Sequence, residues 1–97
     1  MSKHNNIQSK IFSLEEFQRT LGIWRFKNDT IVFTNGCFDL IHLGHIDYLS
    51  KAADLGDRLI IGLNTDSSVS KLKGKHRPIK DEQSRATILA SFSFIDA

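Results

Sequence analysis

The sequence predicts an α/β fold in which helices flank a parallel sheet. Two short apolar runs, residues 30–34 and 59–61, are rich in β-branched side chains, which is typical of strands covered on both faces. Residues 45–55 lie between them with helical spacing: Ile46, Leu49 and Ala53 share one face, and Gly56 is placed to end the helix. Strand, glycine-containing loop, helix and strand form a βαβ unit, whose crossover is almost always right-handed.

A helix is also predicted before the first strand. Residues 1–10 are polar and indicate a disordered lead, whereas Ser13 and Glu16 form the S-x-x-E capping-box pattern that starts helices. Four large apolar residues follow at helical spacing and predict one buried face: Leu14, Phe17, Leu21 and Trp24. We expect Trp24 to belong to the core rather than to a binding surface.

The region after the second strand predicts two more helices and the start of a third strand. Residues 64–68 are turn-rich and open a short helix towards Leu72, and residues 71–77 form a basic stretch, KLKGKHR. Residues 81–92 have helical character with Asp81 as the cap, and residues 94–95 indicate a third strand. Because two strands and a stub make a thin sheet, the sequence predicts a domain over residues 11–97 that is truncated at its C-terminus.

Composition narrows the class of protein. A chain of 97 residues with 40% hydrophobic and 25% charged residues is expected to form one soluble globular domain. The net charge of +2 gives only weak support to polyanion binding in general, so any affinity for anions has to come from local placement of charges. Cys37 is the single cysteine, and the sequence shows neither a signal peptide nor a membrane-spanning run, which together predict a cytoplasmic protein.

The stretch TNGCFDLIHLGH, residues 34–45, is the candidate functional site of the sequence. It follows the first strand, at the edge of the sheet where α/β folds bind ligands, and the start of the next helix favours phosphate. Gly36 and Gly44 allow the backbone to come close to a ligand. His42 and His45 are three residues apart, so both can turn to one side of a bound anion and donate hydrogen bonds. Such donors stabilise the charge that develops in nucleotidyl transfer.

Two other interpretations of this stretch remain. Cys37, Asp39, His42 and His45 are all metal-ligand types, but their spacing is not that of a familiar zinc module and no second cysteine pair exists. We therefore predict no dedicated metal site. The histidines can also serve simply as a helix cap, and Asp39 either orients the loop or accepts hydrogen bonds in a local turn.

The segment GCFDLIHLGH resembles the G-x-F-D-x-x-H-x-G-H signature of the cytidylyltransferase-like nucleotidyltransferases. Further segments, AADLGDRLIIGLNTDSSVSKLKG, RPI and SRATILASF, resemble the members that act on D-glycero-β-D-manno-heptose 1-phosphate. The resemblance implies a Rossmann-like fold and the transfer of AMP from ATP to that sugar phosphate, for lipopolysaccharide synthesis. It also implies release of pyrophosphate, no covalent enzyme intermediate, and Mg²⁺ bound with the ATP phosphates.

The resemblance also implies roles for individual residues. Catalytic contacts with the phosphates are implied for His42, His45, Lys73 and Arg85. Nucleotide binding is implied for Thr34, Asn35, Gly36, Cys37, Phe38, Gly44 and Lys71. Acceptor binding is implied for Asp39, Asn64 and Asp66. A solvated charged face is the rival interpretation of the two lysines, and a simple turn is the rival for residues 64–66.

Rival functions of the whole chain stay open at this point. The same chemistry can act on CTP with glycerol 3-phosphate or a phospho-alcohol, since the loop handles phosphates and not the base. A phosphate-binding fragment without catalysis is a second rival. Binding of nucleic acid through Lys71, Lys73, Lys75 and Arg77 is a third, but the run lacks aromatics for base stacking. We expect ATP and a sugar 1-phosphate as partners, no nucleic acid and no membrane, and leave a homodimer open.

Overall fold

The computed structural model describes residues 2–74, 76–77 and 81–97. The elements are α1 (Lys3–Gln8), α2 (Leu14–Phe26), β1 (Ile31–Gly36), α3 (Leu43–Ala53), β2 (Arg58–Leu63), α4 (Asp66–Lys73) and α5 (Glu82–Ala90). The βαβ unit and the helices on either side of it follow the predicted order, and the fold is α/β. Lys75 of the basic stretch, and Pro78 and Ile79 of the RPI segment, lie outside the described residues.

The first ten residues differ from the prediction, because a short helix stands where the sequence indicates a disordered lead. The side chain of Ser2 caps α1 by accepting a hydrogen bond from the backbone N–H of Asn5 at 3.1 Å. After the helix, Lys10 Nζ donates to the carbonyl of Phe92 at 3.1 Å. This contact joins residues far apart in the chain, so local sequence gave no sign of it.

The start of α2 confirms the predicted capping box, with both of its hydrogen bonds present. Phe17 and Trp24 are buried as predicted, and the guanidinium of Arg58 lies 4.8 Å over the Trp24 ring. Leu14 differs, since it is 77% exposed. Phe12, which precedes the cap, packs on Phe17 with ring centroids 5.3 Å apart. This contact is a hydrophobic staple, in which the residue before the N-cap packs on the fourth residue of the helix.

The two strands are parallel, and their register runs from Ile31 opposite Arg58 to Gly36 opposite Leu63. β1 extends two residues further than predicted, so both strands end at the same edge of the sheet. The backbone N–H of Asn64 donates to the carbonyl of Gly36 at 3.0 Å. The loops that follow the two strands therefore begin side by side.

The sequence indicates a third strand at residues 94–95, but the described residues form two strands, and none begins there. Phe92 and Ile95 close a turn through a 3.2 Å backbone hydrogen bond, which keeps residues 94–95 out of the sheet. Ala97 then donates to the carbonyl of Leu59 at 3.3 Å and accepts from the N–H of Ile61 at 2.8 Å. Ala97 therefore bonds to two residues that flank Ile60, on the edge of β2 that β1 does not cover.

The core lies between the sheet, α3 and α5. Its buried members are Phe38, Leu49, Leu59, Leu89 and Ile95. α3 begins two residues earlier than predicted, and Ile46, assigned to its buried face, is 39% exposed. A separate cavity of about 830 Å³ lies between the N-terminal part of α2, the sheet and α5. The described residues that line it are mostly apolar and include no histidine, so the candidate chemistry lies elsewhere.

Candidate active site

The turn that starts α3, residues 42–45, is called the histidine turn below. His42 is the N-cap, and its Nδ1 accepts a hydrogen bond from the backbone N–H of Gly44 at 3.0 Å. The backbone N–H of His42 in turn donates to Nδ1 of His45 at 3.2 Å. This is a capping box built from two imidazoles. A ring nitrogen that accepts carries no proton, so each neutral ring has its proton on Nε2 and presents that atom as a donor.

The two imidazoles lie together, with ring centroids 4.1 Å apart. The ring of Phe38 meets His45 edge-on at a centroid distance of 5.6 Å. Burial lowers the pKa of His45 below its usual value, and the neighbouring His42 lowers this pKa further. Neutral His45, the form that donates from Nε2, is therefore favoured around neutral pH.

Gly44 and Gly36 make room for side chains of the loop itself. A Cβ on Gly44 would lie 2.8 Å from Cε1 of His42, so only glycine lets the cap ring fold back onto the helix start. A Cβ on Gly36 would lie 3.0 Å from the Phe38 ring. Phe38 has a positive φ of 48°, a conformation that is rare for an aromatic residue. The sequence predicted close approach to a ligand at these glycines, and the structure shows close approach to His42 and Phe38.

A cleft of about 590 Å³ opens beside the histidine turn. Its described lining is Asn35, Gly36, Cys37, Phe38, Asp39, Leu40, His42, His45, Tyr48, Lys73 and Arg77. Most of the residues predicted for nucleotide or catalytic contacts thus meet in one concave site. Lys73 reaches it as the last residue of α4, whereas Lys71 is exposed and is not part of this lining.

Tyr48 and Arg77 line the cleft although the sequence assigned neither of them to the phosphates. The hydroxyl of Tyr48 lies 3.0 Å from Oγ1 of Thr34, so Thr34 touches the site through Tyr48 and does not itself line it. The available signal for Tyr48 was its position three residues after His45, on the same helix face. For Arg77, it was membership of the basic stretch.

Asp39 is 4% exposed, although it belongs to a loop. Its Oδ2 accepts a hydrogen bond from Nε of Arg77 at 2.5 Å, an ion pair between residues 38 positions apart. The sequence left Asp39 as either a loop-orienting group or a local turn acceptor. The ion pair with Arg77 is a long-range contact of Asp39 that neither interpretation anticipated.

Arg85 is fully buried and lies outside the cleft lining. Its Nη1 donates to the carbonyls of Cys37 at 2.7 Å and Asn64 at 2.8 Å, and its Nη2 donates to Oδ1 of Asp66 at 2.7 Å. We call Arg85 with these three acceptors the arginine brace. It joins the loop after β1 to the loop after β2. The sequence placed this guanidinium near the phosphates, whereas the structure turns these donors towards two loop carbonyls and the Asp66 carboxylate.

Asn64 and Asp66, predicted to bind the acceptor, belong to the arginine brace and are absent from the lining of the cleft. Nδ2 of Asn64 also approaches Sγ of Cys37 at 3.4 Å. The structure therefore brings both residues next to the loop that forms the cleft wall, and their contacts in it support that wall.

Two kinds of feature are absent from the described residues. Over residues 2–74, 76–77 and 81–97, no three or more histidine, cysteine or acidic side chains are grouped so as to hold a metal ion. Across the same ranges, no helix combines the length and the apolar character that crossing a bilayer requires.

Comparison with known proteins decides the family. Residues 33–96 match the family model described as cytidylyltransferase-like. The chain belongs to this family. Its members are nucleotidyltransferases, and the matched region contains the histidine turn and the arginine brace.

Relatives of the cytidylyltransferase-like chain carry a consistent name. The bifunctional protein HldE of Caulobacter vibrioides is 56% identical over 87 residues, which are 90% of this chain and 18% of that protein. The bifunctional protein HldE of Campylobacter jejuni subsp. jejuni is 52% identical over 94 residues, 97% of this chain and 20% of that protein. The chain thus spans about a fifth of the length of these curated relatives.

A solved structure supports the fold. The lipopolysaccharide core biosynthesis protein from Thermoplasma volcanium superimposes with a TM-score of 0.63 at 35% sequence identity. The match covers 70% of this chain and 54% of that chain. The Rossmann-like fold expected from the sequence is therefore the fold of the cytidylyltransferase-like chain.

Proposed function

We propose that the chain transfers AMP from ATP to D-glycero-β-D-manno-heptose 1-phosphate, giving ADP-heptose and pyrophosphate. The observation that carries the proposal is the histidine turn, which presents two Nε2–H donors at the start of a helix, in a cleft shared with Lys73. The choice of ATP and of the sugar phosphate is supported by the sequence resemblance and by the similarity to proteins named HldE.

In the proposed reaction an oxygen of the sugar phosphate attacks the α-phosphorus of ATP. A new P–O bond forms while the bond from the α-phosphorus to the bridging oxygen of pyrophosphate breaks. Negative charge grows on the transferred phosphoryl oxygens and on the leaving group. The Nε2–H donors of His42 and His45, the helix N-terminus and the Lys73 ammonium offset this charge, and because they are already in place they need little reorganisation.

Magnesium enters the proposal together with ATP. Among the described residues, the cleft lining offers one carboxylate, that of Asp39, and Arg77 already contacts it. Such a donor set does not build an all-protein magnesium cage, but it suits an ion carried by phosphate oxygens, which Mg²⁺ prefers. When bound, the ion would neutralise charge on the phosphates. We place the reaction in the cytoplasm, where the unpaired Cys37 stays reduced.

The test is pyrophosphate release with Mg²⁺, using ATP or CTP against heptose 1-phosphate or glycerol 3-phosphate. The proposal expects release with ATP and heptose 1-phosphate alone, and its loss in His42→Ala. Release with CTP and glycerol 3-phosphate would support nucleotidyl transfer but refute the choice of ATP and heptose 1-phosphate as substrates. If no pair reacts but ATP binds in a manner that depends on His42, the chain is a phosphate-binding domain without turnover. No nucleotide binding at all would refute the proposal.

A further inference from the structure

Arg77 is a cation of the cleft that lies outside the histidine turn. Its side chain is 34% exposed, and it lines the same space as His42, His45 and Lys73. A guanidinium carries five N–H donors in a planar fork. Within the described part of the chain, the guanidinium of Arg77 donates through Nε to the carboxylate of Asp39. The terminal nitrogens are thus the part of the side chain that a ligand in the cleft can meet.

Both ends of the Arg77 residue are held in place. Its backbone N–H donates to the carbonyl of Gly74 at 3.1 Å, and its carbonyl accepts from the hydroxyl of Ser70 at 2.5 Å. The side chain of Asp39, at the other end, is 2% exposed and belongs to the cleft wall. An arginine arranged in this way is ordered before a ligand arrives, so binding costs it less side-chain entropy than a free surface arginine would lose.

The charges of the cleft favour an anionic ligand. Its described lining contains two cations, Lys73 and Arg77, against the single carboxylate of Asp39. A guanidinium fork matches the oxygen geometry of a phosphate and can contact two oxygens at once. The alternative role of Arg77 is purely structural, as the counter-ion of a buried carboxylate.

We propose that Arg77 contacts a phosphate group of the bound substrate and that Asp39 is the positioning residue that aims it. The inference rests on the proposed function to the extent that the ligand is a phosphate ester. Both ATP and the sugar 1-phosphate carry this chemistry, so the experiment has to separate the two sources.

The experiment is isothermal titration calorimetry of the whole chain with four probes: ATP without metal, heptose 1-phosphate, tripolyphosphate and adenosine. Arg77→Ala is compared with Arg19→Ala, which removes an exposed arginine outside the cleft. We expect Arg77→Ala to weaken binding of at least one phosphate probe by about 10- to 100-fold, the typical effect of a hydrogen bond to a charged group. Adenosine binding and the Arg19→Ala variant should show no such change. The probe that loses affinity identifies the source of the phosphate.

The positioning role of Asp39 is tested by a double-mutant cycle with Asp39→Asn, which keeps the shape and one oxygen acceptor. If Asp39 acts through Arg77, the substitution weakens phosphate binding in the wild-type background and has no effect in the Arg77→Ala background. If the carboxylate merely repels phosphate, Asp39→Asn tightens binding in both backgrounds, which would overturn the positioning role. Thermal unfolding of each variant separates these effects from a change in stability.

The outcomes distinguish this inference from the proposed function. If ATP binding depends on His42 but Arg77→Ala and Arg19→Ala bind all three phosphate probes equally well, Arg77 has no phosphate contact and only this inference fails. If the wild-type chain binds no phosphate probe, both fail. Should Arg77→Ala not fold, Arg77→Lys decides: the lysine keeps the charge but not the fork, so a loss of affinity supports the inference and unchanged affinity overturns it.

Discussion

The histidine turn and the arginine brace hold the same loop, at its end and at its start, yet they use their hydrogen-bond donors in opposite ways. In the turn, the backbone N–H groups of His42 and Gly44 bond to imidazole Nδ1 atoms, which leaves the Nε2–H donors for a ligand. In the brace, the buried Arg85 donates hydrogen bonds to the carbonyls of Cys37 and Asn64. The comparison teaches that the direction of its donors decides whether a polar side chain can meet a ligand or holds the fold together.

The largest expected effect is on stability, at the brace. Arg85→Ala should lower the free energy of unfolding by about 2–5 kcal/mol, because it leaves two carbonyls without this donor, at about 1–3 kcal/mol for each unsatisfied buried group. Urea denaturation measures the change. Arg19→Ala, an exposed arginine, should change stability by no more than about 0.5 kcal/mol. A loss below about 1 kcal/mol in Arg85→Ala would mean that the brace does not hold the two loops together.

At the histidine turn the main expected effect is on rate. His42→Asn should lower the rate of pyrophosphate release by about 10²–10³-fold, the usual consequence of removing one preplaced donor at a developing charge. Asparagine is a good N-cap, so its Oδ1 can still accept the Gly44 N–H and stability should stay close to that of the wild type. His42→Ala removes the cap as well and should cost about 1 kcal/mol of stability. If His42→Asn were unfolded, the histidine turn would be needed for stability, as the arginine brace is, and the contrast between them would be wrong.

A smaller effect tests the packing inside the turn. Gly44→Ala should lower the free energy of unfolding by about 1–3 kcal/mol, since the added methyl group meets the His42 ring at 2.8 Å. Gly22→Ala in α2 is the matched control, because nothing lies within 4 Å of its added Cβ. There, alanine should raise stability by about 0.5–1 kcal/mol. Equal changes in the free energy of unfolding of Gly44→Ala and Gly22→Ala, measured by urea denaturation, would show that the His42 ring is not held against the start of α3.

The smallest expected effect is the pH dependence of stability at His45. Folding lowers the pKa of this imidazole, chiefly through burial, so the unfolded chain holds the proton more tightly. Stability from this group is full above about pH 6.5, the ordinary pKa of histidine, and falls as pH drops towards the lower folded pKa. Denaturation of the wild type and of His45→Asn between pH 8 and pH 5 measures the difference. The variant should show a flatter profile over that range, and parallel profiles would contradict the lowered pKa.

Local signals in the sequence predicted the framework well. The βαβ order, the parallel pair and the capping box before α2 follow from apolar spacing and from short-range capping patterns, which act within a few residues. The strand and helix ends were one or two residues away from their predicted positions. Burial was harder to predict than element order: the spacing of Leu14 fits the buried face of α2, yet Leu14 is 77% exposed, while Phe12 packs on Phe17 from outside the helix.

The sequence by itself determined the strand–loop–helix order and the placement of two histidines at a helix start, because these depend on neighbours in the chain. Only the tertiary structure decided the roles of the arginines. Arg85 meets the carbonyl of a residue 48 positions away, and Arg77 meets Asp39 across 38 positions. Whether a charged side chain ends in the interior or at the cleft depends on which polar groups folding brings beside it, since a buried charge needs partners. Those partners, Asp39 and Asp66 among them, lie far from the arginines in the sequence, so residue spacing alone does not specify them.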